Sequence, residues 1–186
     1  VCAVIVEGIQ GIAGIYESSK EFLTTIRELC DQHNAVFILD SVQCGYGRSG
    51  QFFVTDHFEI EADIYTTAKA MGNGFPIGGV FISPNFEASY GLLGTTFGGN
   101  HLACAAALAV VETFEEENLI ENAAQVGAYA IKKLQEIDGI KEVRGMGLMI
   151  GIELEIPAAE IRKALLHEDR IFTGSAANKN TIRLLP

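Results

Sequence analysis

Lys69 closes an apolar, β-prone segment and opens a glycine-rich loop in the run Ile64-Tyr-Thr-Thr-Ala-Lys69-Ala-Met-Gly-Asn-Gly-Phe-Pro-Ile-Gly-Gly79. Its neighbours are Ala68, Ala70 and Met71 rather than the polar residues that usually surround a surface lysine. An amine in partly apolar surroundings shifts towards its neutral, nucleophilic form. Schiff-base chemistry with a carbonyl requires that form. The glycines beyond it let backbone approach a bound group closely. Strand-end lysines are also common surface residues, so the chemistry needs a second group.

Asp40 supplies one. It ends the run Ala35-Val-Phe-Ile-Leu-Asp40, whose continuous apolar stretch reads as a strand buried on both faces of a parallel α/β sheet. In such sheets ligands bind outside the carboxyl ends of the strands. If the two strands are parallel neighbours, Asp40 and Lys69 meet at that edge. Pyridoxal phosphate requires this pair: a lysine to hold the aldehyde and an acid to pair with the ring nitrogen. Asp40 could otherwise serve as a helix cap or an ion-pair partner.

The elements that must position these residues follow from patterning. Val1 to Val6 reads as a strand, and Ser18 or Ser19 caps a helix with Glu21 in its first turn. Phe22, Ile26 and Leu29 form that helix's apolar stripe, and Asn34 precedes the Ala35–Leu39 strand. This β-α-β unit implies parallel pairing and a right-handed crossover. Further strands are expected at 63–67 and 79–82. From His101 an Ala-rich segment opens a long helix that runs to the acidic Glu115-Glu-Glu117. After Asn118 a second helix, Leu119 to Ile137, carries Ala123, Val126, Ala130 and Leu134 at helical spacing. Two short strands around Gly145-Met-Gly147, a helix over 158–167, and strands near 171–173 and 181–185 complete the expected order. A domain change is placed near residue 118, giving parts 1–118 and 119–186.

Gly45-Tyr-Gly47-Arg-Ser-Gly50 matches the GxGxxG pattern of dinucleotide-binding sites. That fingerprint needs a strand entering the first glycine and a helix opening at the last. Here Asp40-Ser-Val-Gln-Cys44 separates strand from glycines, and Gln51 to Phe58 has no helical stripe. A nicotinamide-dependent oxidoreductase therefore rests on this match alone, and a tight loop beside a cofactor is the better reading.

Several motifs in fixed order resemble one family. Asp40-Ser-Val-Gln-Cys-Gly-Tyr-Gly-Arg-Ser-Gly50, Thr67-Ala-Lys69-Ala-Met-Gly-Asn-Gly-Phe-Pro76 and Gly94-Thr-Thr-Phe-Gly-Gly-Asn100 look like the core of the class III aminotransferases. Val4-Ile-Val-Glu7-Gly-Ile-Gln10-Gly, Val143-Arg-Gly-Met-Gly147 and Ile182-Arg183-Leu-Leu-Pro186 fall in family order too. The resemblance covers essentially the whole chain. It implies an α/β fold-type-I pyridoxal 5'-phosphate enzyme, part of a large domain with a partly parallel sheet followed by part of a small α+β domain. Within the class the chain is most similar to the branch acting on acylated ornithine, with 2-oxoglutarate as acceptor, in arginine biosynthesis; ornithine δ-transamination or an aminomutase reaction is the alternative within the class.

The resemblance also implies roles. Lys69 would hold the cofactor and Asp40 would pair with its ring nitrogen. Val42 would pack on the ring and Gln43 would reach its phenolic oxygen. Asp40 and Val42, two residues apart, would face the same side in extended chain. Thr96 would bind the phosphate and Thr95 the substrate, across a homodimer interface; their hydroxyls could equally cap the following segment. Hydroxyls and backbone N–H groups in a glycine-rich loop suit a phosphate. Arg183 would bind a substrate carboxylate. An unpaired guanidinium in an apolar strand is costly, so a carboxylate partner is expected, either from substrate or from an internal ion pair.

The chain departs from the family at three positions. Members commonly read Gln-Gly-Glu where Gln10-Gly11-Ile12 stands, and in ornithine aminotransferases that glutamate pairs with the arginine matching Arg183. Ile12 cannot. Ser41 replaces a common acidic residue and Gly8 a common proline.

Bulk properties remove other classes. A formal net charge of −11 over 186 residues disfavours nucleic acid and anionic membranes. A composition 48% apolar and 20% charged is that of an ordinary globular chain. No apolar stretch reaches the roughly 18 residues of a membrane-spanning helix. Cys2, Cys30, Cys44 and Cys104 have no paired spacing and read as free thiols of a cytoplasmic protein. His33, His57, His101 and His167 make no ligand pattern, so no metal is expected. Both ends begin or stop inside strand-like runs, and the chain reads as a carboxy-terminal portion of a longer one.

Overall fold

Glu7, Asp40 and Thr67 end three neighbouring strands, and this shared edge organises the molecule. The computed structural model describes residues 1–186. Strand β1 (Ala3–Glu7) pairs in parallel with β4 (Val36–Asp40), and β4 with β5 (Ile64–Thr67), with Glu7 opposite Asp40 and Asp40 opposite Thr66. Strand β6 (Gly79–Ile82) adds antiparallel to β5, giving the order β1-β4-β5-β6.

Between β1 and β4 the chain forms a small hairpin, β2 (Ile9–Gln10) and β3 (Tyr16–Glu17), with a single helical turn α1 (Gly11–Gly14) at its tip. Helix α2 (Lys20–His33) follows. Ser19 caps it by accepting from the Phe22 N–H, and Asn34 ends it in the left-handed conformation, at φ 49°. Leu23 and Cys30 of α2 pack on Phe37 and Leu39 of β4, as the β-α-β reading requires. Asp63 ties this layer together. Its Oδ2 accepts from the Phe37 N–H at 2.7 Å and from Arg27 Nη1 at 2.9 Å.

Two helices carry the chain to a second sheet. In α3 (His101–Glu117) Asn100 caps the start, accepting from the Ala103 N–H at 3.0 Å. Asn118, at φ 53°, breaks the helix, and α4 (Leu119–Leu134) begins at once. The second helix thus stops three residues short of the expected Ile137, where Ile137 N–H turns back to the Leu134 carbonyl. The sheet itself contains β7 (Ile140–Met146), β8 (Met149–Leu154), β9 (Gly174–Ser175) and β10 (Thr181–Leu184), in the order β7-β8-β10-β9, with α5 (Ala159–His167) between β8 and β9. The strand expected at 171–173 is instead β9. Residues Ile171 and Phe172 are exposed and unpaired, and only Gly174 and Ser175 reach the open side of β10. Every residue of β8 is buried, and Ile150, Ile152 and Leu154 meet Ile182 and the flank of α4.

Helix α4 lies very close to the turn joining β7 to β8. A Cβ added at Gly127 would stand 2.0 Å from the Gly147 carbonyl oxygen. Gly127→Ala therefore has the opposite sign to an ordinary helix-interior Gly→Ala change, which gains about 1 kcal/mol of propensity. Overpacking against rigid backbone outweighs that gain. The expected result is a net loss of about 2 kcal/mol, read as a lower thermal midpoint in the full-length protein.

Candidate active site

The shared edge of β1, β4 and β5 opens into a cleft of about 320 Å³ lined by Glu7, Ile12, Asp40, Val42, Gln43, Lys69 and Arg183. Five of the seven residues assigned roles from the sequence thus meet in one place. Lys69 and Gln43 also line a larger neighbouring cavity of about 940 Å³, between the Gly72–Ile77 loop and helices α3 and α4.

Asp40 is held at the end of β4 by two donors to the same oxygen. Its Oδ1 accepts from the Val42 N–H at 3.0 Å and from Thr66 Oγ1 at 3.3 Å, while Oδ2 makes no hydrogen bond within the chain. The first bond is an Asx-type turn, in which a side chain takes the place of a backbone acceptor. It corrects the sequence argument for Val42. The strand ends at Asp40, and Val42 shares its cleft because a turn begins there, not because two extended residues face one side.

Gln43 is fixed by contact with α1. A Cβ at Gly11 would stand 1.6 Å from Gln43 Oε1, so this amide occupies space that only glycine leaves free. The Gly11 N–H in turn donates to Glu7 Oε2 at 3.0 Å. Glu7 and Gly11 were legible as motif positions without a role; their part is to seat the hairpin against the cleft.

Lys69 begins a short 3₁₀ turn after β5, with a left-handed φ of 44°. Its side chain is exposed, which differs from the apolar setting expected of it. The lysine stands beyond the strand end at the mouth of both cavities, where no element of this chain closes over it.

Arg183 takes part in none of the six salt bridges of this chain. Its Nε donates to the Ser175 carbonyl at 2.6 Å, while Nη1 is buried without a partner. Burial, and then the nearby Arg162, lower its pKa below the usual arginine value. Ile12, 67% exposed, offers this cation no counter-charge.

Thr95 and Thr96 are not brought to the cleft. They lie exposed in the loop ahead of α3, beside Leu92, Leu93 and Phe97, which are each at least 70% exposed.

The glycines at 45–50 serve packing. A Cβ at Gly47 would meet Ile120 at 2.9 Å, and one at Gly50 would meet Ala124 at 2.9 Å, both on α4. Gly47 and Gly50 also have positive φ, 79° and 86°. No helix opens at Gly50, so the dinucleotide reading fails. Cys44, buried in the same loop, is kept protonated because burial pushes its thiol pKa up. All four cysteines are free, and no group of three or more His, Cys, Asp or Glu side chains is placed to hold a metal. No helix is long and apolar enough to cross a membrane.

A mixed sheet whose three parallel strands lead to a carboxylate and a lysine at one edge, followed by a second, antiparallel four-stranded sheet presenting an arginine, is the arrangement of the fold-type-I pyridoxal phosphate enzymes. The family model "Aminotransferase class-III" matches residues 1–186. The chain is 45% identical over 190 residues to an acetylornithine aminotransferase of Methanocaldococcus jannaschii, covering 99% of this chain and 47% of that protein. It is 40% identical over 189 residues to an ornithine aminotransferase of Oceanobacillus iheyensis, again covering 99% and 47%. Among solved structures it resembles acetylornithine aminotransferase from Elizabethkingia anophelis, with a TM-score of 0.86, 34% identity and coverage of 99% of this chain and 51% of that one. It also resembles Plasmodium falciparum ornithine delta-aminotransferase, with a TM-score of 0.89, 32% identity and coverage of 100% and 51%. The chain belongs to the class III aminotransferases, a pyridoxal-phosphate-dependent family. It spans about half the length of the relatives it matches.

Proposed function

We propose that the full-length protein transfers an amino group from an N-acylated ornithine to 2-oxoglutarate, as a step of arginine biosynthesis. The observation that carries this reading is the cleft that joins Lys69 and Asp40 to Arg183, whose Nη1 has no partner in the chain. The donor set fits pyridoxal phosphate. Lys69 offers a primary amine, Asp40 Oδ2 makes no hydrogen bond within the chain while Oδ1 is held, and Val42 and Gln43 line the same cleft.

When bound, the cofactor supplies an electron sink that stabilises negative charge at the carbon bearing the amino group. The chain's own residues do the rest. Lys69 Nζ would hold the cofactor and would move the proton at the reacting carbons as general base. Asp40 would keep a proton on the ring nitrogen, with its Oδ1 held by the Val42 N–H and Thr66 Oγ1. Gln43 would donate to the ring's phenolic oxygen. Arg183 orients the substrate through its carboxylate by a charge-assisted, two-pronged contact.

Thr96 and Thr95, exposed in this chain, belong in this reading to the phosphate and substrate sites of a second subunit, so the enzyme is a homodimer of the cytoplasm. Residues 1–118 act as part of the cofactor-binding domain and 119–186 as part of the smaller one. A second reading, transfer from the δ-amine of free ornithine, has support from the ornithine aminotransferase relatives. Ile12 favours the acylated donor, because an apolar side chain gives a second ammonium group no counter-charge.

The test is glutamate formation from 2-oxoglutarate by the full-length enzyme with N-acetylornithine, N-succinylornithine and ornithine in turn. An acylated donor is expected to give a kcat/KM at least about tenfold above ornithine, the discrimination available from one buried polar mismatch. Equal or higher activity on ornithine would select the second reading.

A further inference from the structure

The cleft has two sides built from different sheets, and one small element spans them. Turn α1 touches the cofactor side through Gly11, which packs on Gln43 and bonds Glu7, and it touches the Arg183 side through its other end. There the Ile12 carbonyl accepts from the Ala177 N–H at 2.9 Å, in the segment between β9 and β10. The Gly14 carbonyl accepts from Arg144 Nε at 2.9 Å.

Arg144 is the hub of this join. Its side chain is only 8% exposed, yet every arm of the guanidinium is used. Nη1 meets Glu142 at 2.7 Å and Glu153 at 2.9 Å, Nη2 donates to Thr181 Oγ1 at 3.3 Å, and the Tyr16 ring lies 4.2 Å beneath its Cζ. Thr181 stands two residues from Arg183 on β10. Next to Arg144, the Gly145 N–H donates to Glu17 of β3. One buried cation therefore binds β3, α1, β7, β8 and β10 together.

The hairpin it grips is strained. Ile15, fully buried, has φ 62°, a left-handed conformation that a β-branched residue adopts only under constraint, and Gly14 before it has φ 136°. Such a turn keeps its shape only where its surroundings over-determine it. The bond from Arg144 to the Gly14 carbonyl is the side-chain contact made at that point.

We propose that Arg144 is a positioning residue for substrate. It clasps the α1 turn to the second sheet and so sets the distance between Arg183 and the Lys69–Asp40 edge. It touches neither cofactor nor substrate, and it acts on the binding of carboxylate substrates rather than on cofactor attachment. This rests on the proposed role of Arg183.

The experiment compares full-length Arg144→Lys and Thr181→Val with wild type and with Arg183→Lys. It measures KM for 2-oxoglutarate, kcat, the dissociation constant for pyridoxal phosphate by absorbance titration of the apoenzyme, and thermal midpoint. A lysine keeps the charge but cannot serve Gly14, Thr181 and two carboxylates at once. Misplacement by about 1 Å can cost up to roughly a hundredfold. Arg144→Lys is expected to raise KM roughly tenfold, and Thr181→Val roughly threefold, with kcat within about a factor of two and cofactor affinity unchanged. If Arg144→Lys does not fold, Thr181→Val decides. Unchanged KM while Arg183→Lys raises it would overturn the clasp alone. Parallel loss of KM, kcat and cofactor affinity with the thermal midpoint would reduce Arg144 to a structural residue and also overturn it. An unchanged KM in Arg183→Lys would overturn both the clasp and the reading beneath it.

Discussion

Full-length Lys69→Ala is expected to lose turnover by about four orders of magnitude or more while keeping its fold. The loss combines removal of the covalent anchor with removal of the general base, and base catalysis alone contributes up to about 10⁴. The fold is spared because the side chain is exposed and makes no hydrogen bond, and such substitutions stay within about 0.5 kcal/mol. The backbone supports the same expectation, since alanine and lysine face the same constraint at φ 44°. Borohydride reduction of the wild type with pyridoxal phosphate, followed by peptide mapping, should place the phosphopyridoxyl group on Lys69. The variant should give no adduct there and an unchanged thermal midpoint. An adduct on another lysine with turnover retained would remove Lys69 from the mechanism.

Much of the cofactor edge was legible because its signals are local. The apolar run ending in Asp40 and the β-prone run before Lys69 each encode a strand, though β4 is fully buried only at Phe37 and Leu39, and a parallel pairing of the two brings their carboxyl ends together. What was not legible depends on tertiary contact. Gly47 and Gly50 make sense only once α4 is seen pressing Ile120 and Ala124 against them. The two-residue strands β2 and β3 are too short to carry a period, so the hairpin that holds Ile12 was invisible. Arg144 sits in strand β7 and has no role legible in the sequence. Its only signal was an arginine beside glycine in a family motif, and its partners lie up to 130 residues away. The Arg183 reading left an internal ion pair open, because sequence cannot say whether a carboxylate arrives beside it.

Arg183 without that ion pair makes an unusual expectation: Arg183→Met should damage function and spare or improve stability. A half-buried guanidinium whose Nη1 is buried and unsatisfied costs the folded chain part of its desolvation, and no carboxylate of this chain is left stranded when the charge is removed. A well-packed apolar replacement of a buried charge is often neutral or stabilising, so the thermal midpoint should hold or rise. The substrate side moves the other way. Two charge-assisted bonds to a carboxylate are worth about 3 kcal/mol or more, so KM for 2-oxoglutarate should rise by roughly two orders of magnitude. Arg183→Lys should fall between, because an ammonium keeps the charge and loses the fork. Cofactor absorbance should be unaffected in both, since Asp40 and Lys69 hold the other side of the cleft. A residue held for packing would show the reverse pattern, with a lower midpoint and an unchanged KM. The opposed signs of the two measurements therefore separate a cation kept for its ligand from one kept for the fold.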